Sequence, residues 1–370
     1  MAPEASFENQ VRDRRSSRGW SQDELARRSG LSRAGISAIE TGRLVPSAAA
    51  ALAIAAALEC RVEDVFQLSS RLDSGPVWAW PAEGGKGRYW AAEVGGLVRL
   101  YPVEATALGL VPHDGVQLEA APGENATGDA TKSSPPDLRA ESFSDPASTL
   151  VLASCDPAVG LLAAVLARKF GVRLLPLPRP SRSALELLGQ GLVHAAGVHL
   201  SRADDADGNA RIVRDKLGAG YRLLRAARWE EGIALSPRRK VTSLRAAVGS
   251  NLCWVGRQDG SGARQCLDEL LGDKRRSPRC QAYDHRGVAE AVRGGCADAG
   301  VCLRLVSEEA GLDFFSVREE AYDLCFPARI EGDRRIQALL QTLRSNTYRK
   351  LLSELPGYGT AETGELLTVP

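Results

Sequence analysis

Between residues 20 and 43 the apolar positions follow a helical period that is interrupted once. In WSQDELARRSGLSRAGISAIETGR, Leu25 and Ala26 form the inner face of one helix, and Ile36 and Ile39 that of a second. Ser21, with Glu24 three residues on, predicts a capping box. Gly30 permits a left-handed backbone between the helices, Leu31 plugs the turn, Ser32 caps the second helix and Gly42 ends it. Ser32, Arg33, Ala34 and Ser37 face outward, and short or basic residues suit a helix end that enters a major groove.

Downstream the pattern changes twice. The Ala-rich run 48–58 predicts another helix and 60–66 a short closing one. Residues 77–81 and 88–94 are aromatic and β-prone, a glycine-rich turn separates them, and 97–103 adds a third strand. These predict a small β-rich module at 74–121 whose aromatics fill a small core or an interface. Residues 122–148 are rich in Gly, Ser, Pro, Asp and Thr, as a linker is. From 149 strands and helices alternate. Strands are predicted at 150–153, 172–177, 193–199, 252–256, 299–303 and 312–317, with two strand-like runs within 222–235. Helices are predicted at 158–170, 183–189, 242–248, 285–293, 333–344 and 346–354, and another ends at 271. The tail 357–370 is polar and expected to be exposed.

Charge sharpens the first segment. The whole chain carries only +1, but eight arginines against four carboxylates between 12 and 43 leave a local +4, an electrostatic footprint for phosphate. Composition, 44% hydrophobic and 25% charged, is that of a globular protein of two or three domains. The N-terminus has no apolar leader, and the longest apolar run is about half of a bilayer span. A cytoplasmic chain with no membrane partner is expected, with disulfides disfavoured. Eight cysteines show no CxxC spacing and four histidines no tight ligand cluster, so buried small hydrophobes and no metal are expected, with a redox sensor at Cys155 or a pair within 253–302 as the alternative.

The spacing of Gln22, Ala26, Gly30, Ile36 and Ile39 resembles the phage-repressor (Xre/Cro) helix-turn-helix over roughly 7–68. The resemblance implies a five-helix domain that binds double-stranded DNA. It places Arg33, Ala34, Ser37 and Ala38 at base-reading positions, Gln22 and Arg43 near phosphate or flanking bases, and Arg15 with Glu40 as an internal ion pair. Ala34 and Ala38 stand where the family often has long polar readers, which leaves Arg33 as the main one.

GRQDGSGARQCLDELL at 256–271, HRGVAEAVRGGCADAGVC at 285–302 and EAYDLCFP at 320–327 resemble a substrate-binding family similar to periplasmic molybdate-binding proteins. The resemblance implies a two-lobed, type-II periplasmic-binding-protein fold, with molybdate or tungstate as a candidate effector. The residues add an argument of their own. Gly260-Ser261-Gly262 opens a helix whose free N–H groups favour an anion, and Ser154 with Asp156 begins another. His199 follows a strand end, which faces the cleft in a doubly wound sheet. Ser154, Asp156, His199, Ser261, Gly262 and Arg264 are the candidate ligand-binding residues. Asp156, Asp259 and Asp298 oppose an oxyanion unless protonated or turned away, so a small organic ligand stays open.

The expected architecture is multidomain. An all-α five-helix DNA-binding domain spans 1–70, the β-rich module 74–121, a linker 122–148, a two-lobed α/β ligand-binding domain 149–356 and a tail 357–370. No nucleophile elbow or phosphate-binding loop is present, so no catalytic residue is assigned and no enzyme is expected. The function expected is a ligand-responsive transcription regulator that acts as a homodimer on two half-sites. The alternative is an intracellular small-molecule or molybdenum-cofactor-related binding protein that uses the helix-turn-helix as an assembly module.

Overall fold

The structure, a computed structural model, describes residues 6–69, 75–81, 87–117, 144–205, 207–272, 278 and 280–369. The chain divides into two compact units, Met1–Gly75 and Pro76–Pro370. Most of the linker expected at 122–148 lies outside the described residues.

Among the described residues the first unit holds four α-helices, α1 (Val11–Ser17), α2 (Gln22–Ser29), α3 (Arg33–Glu40) and α4 (Ala48–Ala57). Val11, Leu25, Ile36, Ile39, Ile54, Leu58, Val65 and Phe66 fill its core. The closing fifth helix is a single 3-10 turn, Val62–Asp64. The chain then leaves it as β2 (Phe66–Ser69), antiparallel to β1 (Ser6–Asn9). Ser21 accepts a hydrogen bond from the Glu24 amide, but Glu24 turns outward to Arg27 and Arg28, so the reciprocal half of the capping box is absent. Gly30 takes the left-handed conformation, φ 69°, that the turn needs.

The second unit begins with a four-stranded sheet, order β3-β5-β4-β6, from β3 (Val77–Trp78), β4 (Gly87–Val94), β5 (Leu97–Pro102) and β6 (Gly115–Gln117). Trp90, Ala92, Val94 and Tyr101 pack on Val151, Ala153, Leu175 and Leu177. The module's aromatics therefore fill a core shared with the α/β domain.

That domain is organised by two 15-residue strands, β10 (Tyr221–Leu235) and β14 (Asp313–Pro327), paired antiparallel along their length. One end of the pair carries β7 (Thr149–Ala153), β8 (Arg173–Leu177) and β9 (Ala195–Val198), with β9 beside β14. The other end carries β11 (Trp254–Arg257), β12 (Cys280–Ala282) and β13 (Ala299–Leu303), with β13 beside β10. Two lobes follow, and the strand pair runs through both. The first lobe includes α5 (Val159–Phe170), α6 (Ser181–Gly189) and α7 (Gly208–Leu217). The second includes α8 (Leu244–Gly249), α9 (Gly262–Leu271), α10 (His285–Arg293) and α11 (Arg304–Glu309). The closing helices α12 (Arg334–Arg344) and α13 (Asn346–Ser353) return to the first lobe, where Ile336, Leu339 and Tyr348 join its core.

The tail is not the exposed segment expected. β15 (Tyr358–Gly359) and β16 (Leu366–Thr368) both pair with β10, and Tyr358, Thr363 and Val369 are buried. The tail carries enough alternating apolar residues to cover the free edge of β10. Among the described residues no helix is long and apolar enough to cross a membrane.

Candidate functional sites

In the first unit, α3 presents Arg33 and Ala34 fully to solvent and Ser37 and Ala38 partly, while Ile36 and Ile39 anchor its other face. Ser32 caps the helix by accepting from the Gly35 amide at 3.0 Å. Arg33 stands 3.5 Å from Asp23, both side chains exposed, a pair that solvent screens heavily. Arg43 is exposed and leans on the Thr41 hydroxyl. Gln22 donates to Glu40 at 2.9 Å, so it takes part in an internal network. Arg15 completes that network, with Nε 2.6 Å from Glu40 Oε1. Burial pushes the Glu40 carboxyl up, but the hydrogen bonds from Arg15 and Gln22 outweigh it and hold the carboxyl below its usual range.

In the second unit, the cleft forms where β10 and β14 pass from lobe to lobe. Trp229 stacks on Tyr322 at 4.2 Å and donates from Nε1 to Glu320. Glu320 also accepts from His199 Nδ1 at 2.9 Å and from Arg318 at 2.6 Å. Arg318 bridges onward to Glu231 and to the Gly262 carbonyl. Burial, then the charge of Glu320, pushes Glu231 up to about 8.

The loop after β7 carries Ser154, Cys155 and Asp156. The Ser154 hydroxyl pairs with the Tyr322 hydroxyl at 2.6 Å. Asp156 accepts from the Tyr358 hydroxyl at 2.7 Å and from the Ala158 amide at 2.9 Å. Burial pushes its carboxyl up despite both bonds. Cys155 Sγ lies 3.0 Å from His199 Nε2 and 3.9 Å from His285 Nε2. Burial alone would raise the Cys155 thiol, but His199 and the charge of Arg257 bring it below its ordinary value. Burial, with the charges of Arg257 and His199, holds His285 well below the ordinary imidazole range.

Arg257, the last residue of β11, is 1% exposed. None of its three guanidinium nitrogens has a hydrogen-bond partner among the described residues. Its charge acts on Cys155, His285 and Cys302, although Arg257 does not itself line the remaining space. The remaining space, about 20 Å³, is lined by Ser154, Cys155, Asp156, Asp284, His285 and Arg286.

The expected ligand residues are thus divided. Ser154, Asp156 and His199 meet in the cleft. Ser261 is buried, but its hydroxyl is used as the cap of α9 and as a donor to the Gln258 carbonyl. Gly262 packs against His199. Arg264 is taken by Asp259 and Asp268, both at 3.1 Å, beside a separate groove rich in carboxylates. Its charge is already balanced there.

Cys155, Arg257, His285, Glu320, Tyr322 and Tyr358 were not expected at the site. The expectation that histidines and cysteines form no ligand cluster is corrected. Cys155, His199 and His285 bring their ligand atoms within 4.8 Å of one another. They are far apart in sequence, but each follows the carboxyl end of a strand, β7, β9 and β12. The strand-end rule flags Cys155 and His199, but the strand before His285 carries no strand signal in the sequence.

Fold and sites define a helix-turn-helix DNA-binding domain joined through a small four-stranded sheet to an α/β ligand-binding domain. Residues 11–65 match the helix-turn-helix family, and 163–344 match the PBP superfamily domain. Through its N-terminal segment the chain belongs to the helix-turn-helix family. Over 62 residues it is 41% identical to the uncharacterized HTH-type transcriptional regulator YgzD of Bacillus subtilis (strain 168), covering 17% of this chain and 94% of that one. Over 187 residues it is 27% identical to the uncharacterized protein YvgK of the same organism, covering 48% of this chain. The match spans 60% of YvgK, less than two thirds of its length. A putative phosphate ABC transporter substrate-binding protein with bound phosphate from Clostridium perfringens aligns with 57% of this chain and 99% of its own, at 11% identity and a TM-score of 0.47. A helix-turn-helix joined to a binding-protein domain is a combination typical of non-enzymatic regulators.

Proposed function

We propose that the protein is a cytoplasmic transcription regulator whose operator binding is set by a small anion held between the lobes. The observation that carries this reading is Arg257. A guanidinium buried to 1% exposure with three unpartnered nitrogens costs several kcal/mol. A ligand anion supplies the missing charge and acceptors, as carboxylates and phosphates do for arginine elsewhere. A tetrahedral oxyanion of the molybdate or tungstate class is the first candidate. The objection from Asp156 weakens, because burial favours its neutral form and Tyr358 holds one of its oxygens.

Arg33, with Ala34, Ser37 and Ala38, faces the major groove, and Arg43 contacts phosphate. Two copies bind two half-sites. Exposed Leu44, Val45 and Leu52 in the first unit offer apolar surface for pairing. Anion binding favours the closed lobes and shifts the population that holds DNA.

A thermal-shift series with molybdate, tungstate, phosphate and sulfate tests the sensor. Saturable stabilisation by one of them is expected in the wild type and is lost in Arg257→Gln. Equal stabilisation of both proteins defeats the reading. Arg33→Ala and Arg43→Ala should weaken DNA retardation without touching the thermal shift. If neither alters retardation, the helix-turn-helix serves assembly instead.

A further inference from the structure

We propose that Cys155 Sγ, His199 Nε2 and His285 Nε2 bind one divalent transition ion of the zinc class and thereby hold the two lobes together. A tetrahedral zinc site with Zn–S near 2.3 Å and Zn–N near 2.05 Å separates sulfur from nitrogen by about 3.6 Å. The observed 3.0 and 3.9 Å bracket that value. The three ligand atoms lie within 4.8 Å of one another.

One imidazole has an outer partner, while His285 Nδ1 has none among the described residues. Glu320 accepts from His199 Nδ1 at 2.9 Å, which leaves Nε2 as the lone-pair nitrogen facing Cys155. A carboxylate behind a histidine in this way fixes the tautomer and strengthens the ligand. A thiolate and neutral imidazoles are the forms that coordinate metal. One thiolate and two imidazoles form a borderline-soft donor set suited to zinc. Magnesium and calcium prefer oxygen.

The three ligands come from both sides of the cleft. Cys155 and His199 follow first-lobe strands, and His285 opens α10 in the second lobe. All three are buried, so entry of the ion requires the lobes to part and its retention favours closure. Three protein ligands leave a fourth position for a small ligand, the arrangement of an open zinc site. The charge of Arg257 opposes a bare dication. The thiolate offsets part of that repulsion, and an anion at Arg257 would offset more. The metal site uses other atoms than the anion reading, so each can fail without the other.

The test is titration of the reduced full-length chain with Co²⁺. One ion per chain should bind, with a thiolate-to-cobalt charge-transfer band and the intense visible bands of a four-coordinate ion, and equimolar Zn²⁺ should bleach both. Cys155→Ser should remove the charge-transfer band. His285→Gln should weaken Zn²⁺ binding at least about 100-fold, beyond the loss expected for an outer partner, and Glu320→Gln by about 10- to 100-fold. Zn²⁺ should also protect Cys155 of the wild type from iodoacetamide, read by peptide mass, which needs no variant to fold. Absence of stoichiometric Co²⁺ binding, a charge-transfer band that survives in Cys155→Ser, or unprotected Cys155 at saturating Zn²⁺ overturns the proposal. An intact cobalt site in a protein that ignores DNA and oxyanions would defeat the regulator reading alone.

Discussion

A Cβ built on Gly262 would stand 2.7 Å from the carbonyl oxygen of His199 and 2.8 Å from its Nδ1. The two residues belong to opposite lobes, so the missing side chain is what lets the lobes meet. The glycine-rich turn, expected to cradle a ligand, makes its close approach to protein. Gly262→Ala should lower the unliganded melting temperature, because the new Cβ would meet the His199 backbone carbonyl and force the lobes to shift. Its oxyanion affinity should fall by about tenfold or more, a cost near 1.4 kcal/mol for imperfect closure. Thermal-shift titration reads both quantities, and a full wild-type response in the variant would refute this role.

The Arg15–Glu40 pair supports the recognition helix from behind. Its side chains are 12% and 2% exposed, so removing the cation leaves a nearly buried carboxylate. Arg15→Ala should destabilise the first unit by about 3 kcal/mol. The Glu40 carboxyl is held below its ordinary value in the folded chain. Its contribution is present above the unfolded carboxylate range and is lost as pH falls through the folded value. The acid limb of the unfolding curve should therefore flatten in Glu40→Gln. An unchanged limb would contradict the assignment.

His194 ties the small sheet to the first lobe. Its Nδ1 accepts from the Val151 amide, and its Nε2–H donates to the Glu93 carbonyl, both at 2.9 Å. Burial, then the charge of Arg335, lowers it to about 3, against the pull of Asp333. The unfolded chain takes up this proton below about 6.5 and the folded chain does not, so stability falls as pH drops through that window. The slope is about 1.4 kcal/mol per pH unit. Between pH 7 and pH 5 the wild type should lose roughly 2 kcal/mol more than His194→Gln in urea unfolding. Equal losses would show that His194 is not the group responsible.

The last thirteen residues should matter despite their polar composition. Truncation before Tyr358 removes two strands from β10 and the hydroxyl that holds Asp156. A loss of about 3–5 kcal/mol is expected, the size of a large-to-small core change. Urea unfolding of the truncated chain checks it, and a midpoint unchanged from the full chain would mean that the tail is dispensable.

What could be read from the chain follows from what periodicity reports. The helices α2 and α3 were legible because Leu25, Ala26, Ile36 and Ile39 form one apolar stripe broken by Gly30. The strands β7, β8 and β13 were legible as short apolar runs. The middle of β10 and β14 was not, because Glu230, Glu231, Arg318, Glu319 and Glu320 look like loop residues. Glu231 and Glu320 are buried there, and Arg318 pairs with both. The site was half legible for the same reason. Ser154, Asp156 and His199 carry local signals, a cap and a strand end. Cys155, Arg257 and His285 acquire meaning only when three loops from two lobes converge, and no local pattern encodes that convergence.

We propose that an anion at Arg257 sets the affinity for DNA. Fluorescence anisotropy with a labelled fragment from the gene's own upstream region measures this directly, with and without molybdate, tungstate, phosphate and sulfate. One of these anions should change the wild-type Kd for DNA by at least about fivefold. In Arg257→Gln the DNA should still bind and the response should vanish. A wild type indifferent to all four anions, or a variant that responds as the wild type does, would contradict it.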